Sequence, residues 1–166
     1  MSGPYSLVTM TSSVGSPFSA IALSSGMVSA GNWGGTTPTN LSNALDGDLR
    51  TATRWGQTAG GGNKGWVQVD LGQIYNNLFF GCKFGYRMGD GWGGGEATWT
   101  VDLADEAGNF SPMWIAYKFR PGVTEFIFQP SFWVRAQKVR FTGEDTGNGP
   151  AMLRVYDFRA WSVTLP

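Results

Sequence analysis

Histidine is absent from this chain of 166 residues, and cysteine occurs once. Without an imidazole there is no Ser-His-Asp triad, no Cys-His nucleophile pair and no histidine-bound metal centre. A single cysteine forms no internal disulfide, so the fold does not depend on an oxidising compartment. Charge is also scarce, at 14% of residues where about 25% is usual for a globular domain. Twelve basic residues cancel twelve acidic ones. That balance removes the electrostatic case for nucleic acid, which needs a basic surface to displace counterions, and leaves no polybasic patch for anionic lipid. No run approaches the roughly 20 apolar residues of a spanning helix, so no membrane insertion is expected. Met1 to Tyr5 lacks the positive and apolar regions of a signal peptide. A protein made in the cytosol is the expectation.

What the sequence does have is alternation. Val67, Val69 and Leu71 alternate with Gln68 and Asp70; Ala97, Trp99, Val101 and Leu103 with Thr98, Thr100 and Asp102. Ile115, Tyr117 and Phe119 alternate with Ala116 and Lys118, and Val139 and Phe141 with Lys138 and Arg140. A period of two marks half-buried strands. Residues 126–128 and 155–161 add apolar runs of strand length, and glycine-rich turns separate the runs. Many short strands so spaced predict an all-β sandwich or barrel, and the length suits one domain. Leu78, Phe80, Cys82, Phe84 and Tyr86 share one strand face, so Cys82 is expected to be buried and inert.

The opening is different. Ser, Thr, Gly and Pro dominate from Ser12 to Asn40. Residues 1–40 read either as an arm or as leading strands of the same domain, with 41–166 forming the sandwich. Pro38 to Ala44 has room for one helical turn.

Three segments in order carry a resemblance to a known family. They are Asn43-Ala44-Leu45-Asp46-Gly47-Asp48-Leu49-Arg50-Thr51-Ala52-Thr53-Arg54-Trp55, then Gly65-Trp66-Val67-Gln68-Val69-Asp70-Leu71-Gly72, then Val134 to Thr142 followed by Leu153 to Trp161. The chain resembles the discoidin, or F5/8 type C, group, which includes many carbohydrate-binding modules. The resemblance implies a single galactose-binding-domain-like jelly-roll β-sandwich. It also implies a structural calcium ion, with Asp46, Asp48 and Thr51 as side-chain ligands and Asp157 as the closing carboxylate. The residues themselves allow this, because Gly47 lets carboxylates and carbonyls converge and calcium takes six to eight such oxygens. A tight turn in which Asp46 caps backbone N–H groups fits the same residues.

Trp55, Trp66 and Trp99 lie in or beside strand patterns and are expected in the core. Trp33 and Trp92 are framed by glycines. A tryptophan so placed suits stacking on a sugar ring, an interface with a neighbouring protein, or a lid folded on the core. Arg87, Asn63, Lys64 and Asn148 lie in other turn segments and would supply the polar half of a ligand site. The acidic pairs Asp105–Glu106 and Glu144–Asp145 sit on turns and do not suit a glycosidase, which needs carboxyl groups about 5–10 Å apart across a cleft. The expectation is a non-catalytic binding module, displayed on a bacteriophage virion and recognising a cell-surface glycan. A structural assembly subunit, such as a capsid decoration, tail or baseplate protein, stands beside it. Its partners would be neighbouring virion proteins or further copies of itself.

Overall fold

The computed structural model describes residues 17–31, 35–55, 64–88, 97–119, 125–145 and 151–164. Among them are nine strands: β1 (Phe18–Ala20), β2 (Val28–Ala30), β3 (Thr53–Arg54), β4 (Lys64–Met88), β5 (Ala97–Ala104), β6 (Phe110–Phe119), β7 (Glu125–Phe128), β8 (Val134–Asp145) and β9 (Ala151–Val163). Every pairing is antiparallel. The strands form one sheet in the order β1-β9-β4-β8-β5-β6, with β2 and β7 also on β4 and β3 on β9.

The sheet becomes a sandwich because β4 belongs to both layers. Residues 64–70 pair with β8 in unbroken register, from Lys64 opposite Glu144 to Asp70 opposite Lys138. The register then shifts twice, and residues 78–88 pair with β9. The two runs, Gly65–Gly72 and Leu78–Tyr86, thus belong to one strand of 25 residues. Gly72 marks the change with a φ of +76°, open to glycine and costly for other residues.

Rings from the two layers meet in the middle. Phe84 of β4 lies 4.4 Å from Trp99 of β5, centroid to centroid, and Phe158 of β9 lies 5.8 Å from Phe141 of β8. Phe80 contacts both Phe158 and Phe141. Burying each such ring contributes about 1.5–3 kcal/mol, and a favourable ring pair adds roughly 0.5–1.5 kcal/mol. Cys82 is fully buried in the same cluster, and burial, then the charge of Asp157, pushes its thiol well up. Phe79, Trp161 and Val163 form a smaller cluster with Phe18.

Trp55 and Trp99 are core residues, as the strand patterns predict. Trp66 is not. Its neighbours Val67, Val69 and Leu71 point inward, so parity turns Trp66 to the other face with Gln68 and Asp70. There it lies half-buried beneath the Arg140 guanidinium, which sits 4.6 Å from its ring and 3.7 Å from the Phe110 ring. Within the Ser/Thr-rich opening, β1 pairs with β9, β2 pairs with β4, and Thr39 bridges to Arg54. The turn read at Pro38 to Ala44 is a 3-10 helix at Leu41–Leu45.

The registers define two ends. Lys64, Ala97, Phe119 and Asp145 lie together, since Lys64 faces Glu144 and Ala97 faces both Phe119 and Asp145. Met88 and Ala151, paired with each other, join this end because five residues connect Asp145 to Ala151. The other end holds the β4 corner, Ala104 opposite Phe110, and Val134 and Ser162 on either side of Leu78.

Candidate functional site

Two regions carry polar side chains placed by this frame. The first is the Lys64 end. Lys64 Nζ lies 3.6 Å from Glu144 Oε2, and both side chains are largely open to solvent. Arg87 occupies β4 opposite Met152, one residue from the end of the strand. Its neighbours in the chain order place it at the same end as Lys64. Trp33, Asn63, Trp92 and Asn148 lie outside the described residues.

The second region is the turn at residues 46–51, which covers part of β9. Gly47 takes a φ of +77°, and Asp46 Oδ1 accepts the Asp48 N–H at 2.8 Å. Thr51 Oγ1 donates to Asp46 Oδ2 at 2.5 Å and lies 3.1 Å from the Asp48 carbonyl. Asp157 faces this turn from β9. The register passes from Lys83–Asp157 to Phe84–Val155, leaving Tyr156 as an extra residue. Such a bulge re-aims the side chains beside it. Asp157 Oδ1 accepts the Gly47 N–H at 3.2 Å and Oδ2 accepts Arg159 Nε at 2.7 Å. Arg159 also donates from its terminal nitrogen to the Gly47 carbonyl at 3.0 Å. Lys83 Nζ donates to the Leu49 carbonyl at 3.1 Å and sits 4.4 Å above the Tyr156 ring.

These partners decide which oxygens a cation would meet. Asp46 Oδ2, Thr51 Oγ1 and the Asp48 carbonyl converge, and the Asp157 carboxylate faces the same turn. All are hard oxygen donors of the kind calcium takes. The Asp48 carboxylate is turned away to Arg50, which it meets at 2.8 Å. Hydrogen bonds from the Arg50 side chain and N–H hold Asp48 at about 2. Among the described residues no three acidic, cysteine or histidine groups gather at one point. Asp48 therefore fits through its backbone oxygen, and the donor set is smaller in charge than the side-chain pattern predicts. Burial pushes the Asp157 carboxyl above its ordinary value, and the Arg159 contact and the Gly47 N–H oppose that rise.

Sequence reasoning passed over Arg159 and Lys83. Their signal was weak but present: Arg159 stands two residues after Asp157, so both share one strand face. The acidic pairs have structural partners. Asp105 accepts the Asn109 N–H at 2.9 Å, Glu106 pairs with Arg135, and Glu144 pairs with Lys64.

No family model matches the chain, and no curated protein does. Solved structures do. The family 32 carbohydrate-binding module of C. perfringens NanJ, solved in complex with galactose, matches at a TM-score of 0.53 and 12% identity. The match covers 87% of this chain and 99% of that one. The chain has the galactose-binding-like β-sandwich fold. Chitosan-binding module 1 from the chitosanase/glucanase of Paenibacillus sp. IK-5 matches this sandwich at 0.53 and 19% identity, over 80% of this chain and 92% of that one. The lectin domain of lectinolysin, complexed with Lewis B antigen, matches at 0.50 and 19% identity, over 82% and 92%. In the galactose-binding-like frame, the Lys64 end and the turn at 46–51 are where this chain places the residues singled out from its sequence.

Proposed function

We propose that the chain is a non-catalytic carbohydrate-binding module whose ligand end is the Lys64 end of the sandwich. The observation that carries this reading is the likeness in fold to modules solved with galactose and with Lewis B antigen. Lys64 and Glu144 supply hydrogen-bonding groups at that end, and the backbone of Arg87 reaches the same end, on strand termini held by long ladders. From the sequence, Trp33 or Trp92 is the candidate stacking ring, and Asn63 and Asn148 are candidate hydroxyl partners. Sites of this kind work by laying the apolar face of a pyranose on an aromatic ring while fixed polar groups take its hydroxyls.

A structural calcium ion at the turn is part of the proposal. Asp46, Thr51, the Asp48 carbonyl and Asp157 would hold it, bracing the turn against β9. We further propose that the module is displayed on a bacteriophage surface. Support for this comes from a fold whose one cysteine is buried and unpaired, which suits assembly in a reducing cytosol.

The experiment is a glycan-array screen of the purified chain, with calcium and again with chelator. Binding to one sugar class, lost in Trp92→Ala with an unchanged thermal midpoint, is the expected result. A blank array from folded, monodisperse protein would reject the sugar reading and leave the assembly subunit, to be sought by co-sedimentation with phage particles.

A further inference from the structure

Phe132 and Trp133 are the large hydrophobic side chains left exposed among the described residues, at 55% and 48%. They lie side by side on the connection between β7 and β8. That connection is not a loose tip. Phe128 before it is in the core, Pro130 is buried, and Val134 after it packs against the core. The two rings are thus held outward by a segment anchored on both sides. Their position is the β4-corner end of the sandwich, where Val134 pairs with Leu78. From Val134 to Glu144, β8 spans roughly 30 Å at the usual rise per residue, so this end is well separated from Lys64.

A polar cluster follows the rings in the chain. Arg135, two positions after Trp133 in the chain, donates from Nε to Asn76 Oδ1 at 2.9 Å. Its terminal nitrogen pairs with the Glu106 carboxylate. The Arg135 and Glu106 side chains remain 52% and 64% exposed. Planar groups from three elements are therefore held together two residues along the chain from Trp133, with their charges already matched. A ligand placed here brings no compensating charge.

The size of the apolar patch selects the occupant. Half-exposed Phe and Trp side chains offer about 200 Å² together, given roughly 150–250 Å² for a fully buried aromatic residue. A stable protein interface needs about 800 Å² on each partner. One sugar ring needs only the smaller area, together with hydroxyl partners at its edge. We infer that Phe132 and Trp133, with Arg135, Glu106 and Asn76, form a second saccharide site at the opposite end of the sandwich from Lys64. The inference shares its ligand class with the proposed function and rests on that reading, but it uses none of the same residues.

The test is a titration of the ¹⁵N-labelled full chain with galactose, N-acetylgalactosamine and glucosamine oligomers, followed at the tryptophan indole N–H signals. The Trp133 signal is the one missing from Trp133→Phe. It should move saturably with at least one of these sugars. Affinity read at that signal should fall at least tenfold in Phe132→Ala and in Arg135→Ala. Both side chains are exposed, so the thermal midpoints should hold. A Trp133 signal fixed in all three titrations overturns the site. So does a signal that responds to protein concentration and not to sugar, which marks a contact between copies. The Arg87 amide reports the other end. Movement there without Trp133 removes this site and keeps the proposed function; movement of Trp133 alone does the reverse.

Discussion

Arg159 Nε donates to Asp157 Oδ2 at 2.7 Å, and Asp157 is the one carboxylate buried among the described residues, at 1% exposure. A charge so placed is tolerated because its oxygens are taken by the guanidinium and by the Gly47 N–H. Removing the guanidinium leaves a buried carboxylate with one weak donor. Arg159→Ala should lower unfolding free energy by about 2–3 kcal/mol. Combining Arg159→Met with Asp157→Asn should cost less than the sum of the two single changes, because neither stranded charge remains. Urea denaturation of the four proteins measures this coupling.

Calcium makes a separate prediction. A ligand bound only to the native state stabilises by about 2.7 kcal/mol at a hundredfold excess over Kd. For a domain of this size that corresponds to a rise of roughly 5–10 °C in Tm. Chelator should remove the rise, and Asp46→Ala should abolish the response to calcium. Equal melting curves with and without chelator would exclude the ion.

Gly31 is packed directly on the Trp66 indole. A Cβ there would collide with the Trp66 indole, while the Gly31 carbonyl accepts the Trp55 indole N–H at 2.7 Å. The backbone cannot retreat without loosening that hydrogen bond. Gly31→Ala should destabilise by about 1–3 kcal/mol, the range for overpacking. Trp66→Ala in the same chain should relieve most of the added strain, read again by denaturation.

Asp70 governs part of the acid limb. Burial pushes its carboxyl up, but the Gly72 N–H, Lys138 and Gln137 outweigh burial and hold it below its ordinary range. A depressed folded value gives stability that is present above the unfolded pKa and lost as pH falls through the folded one. The parent should therefore lose stability below about pH 4, and Asp70→Asn should flatten that part of the profile. Thermal midpoints from pH 2 to pH 7 provide the measurement.

Much of the fold was legible in the residues because strand alternation is local. Val67, Val69 and Leu71 announce a strand without knowledge of what lies across from them. The joining of residues 64–88 was not legible, since the runs Gly65–Gly72 and Leu78–Tyr86 were read separately and nothing local ties them into one strand. Only the pairing with β8 and β9 shows that the ladder bends there without breaking. Trp66 was misplaced because its place in a strand pattern suggested the core, while its parity with Gln68 and Asp70 argued for the outer face. At the turn, the family resemblance pointed to Asp46, Thr51 and Asp157, whose oxygens face one another across it. The diversion of the Asp48 carboxylate to Arg50 was hidden, because two residues apart in sequence says nothing of rotamer. Phe132 and Trp133 escaped notice because an apolar pair beside a strand looks like core until its exposure is known.

The strand running through both layers also ties them together along one stretch of backbone. Peeling the layers apart would require breaking ladders on both flanks of β4 at once, or bending its corner open against the ring contacts within. Amides of Val69 and Phe84, although in different layers, should therefore exchange with solvent through the same opening event.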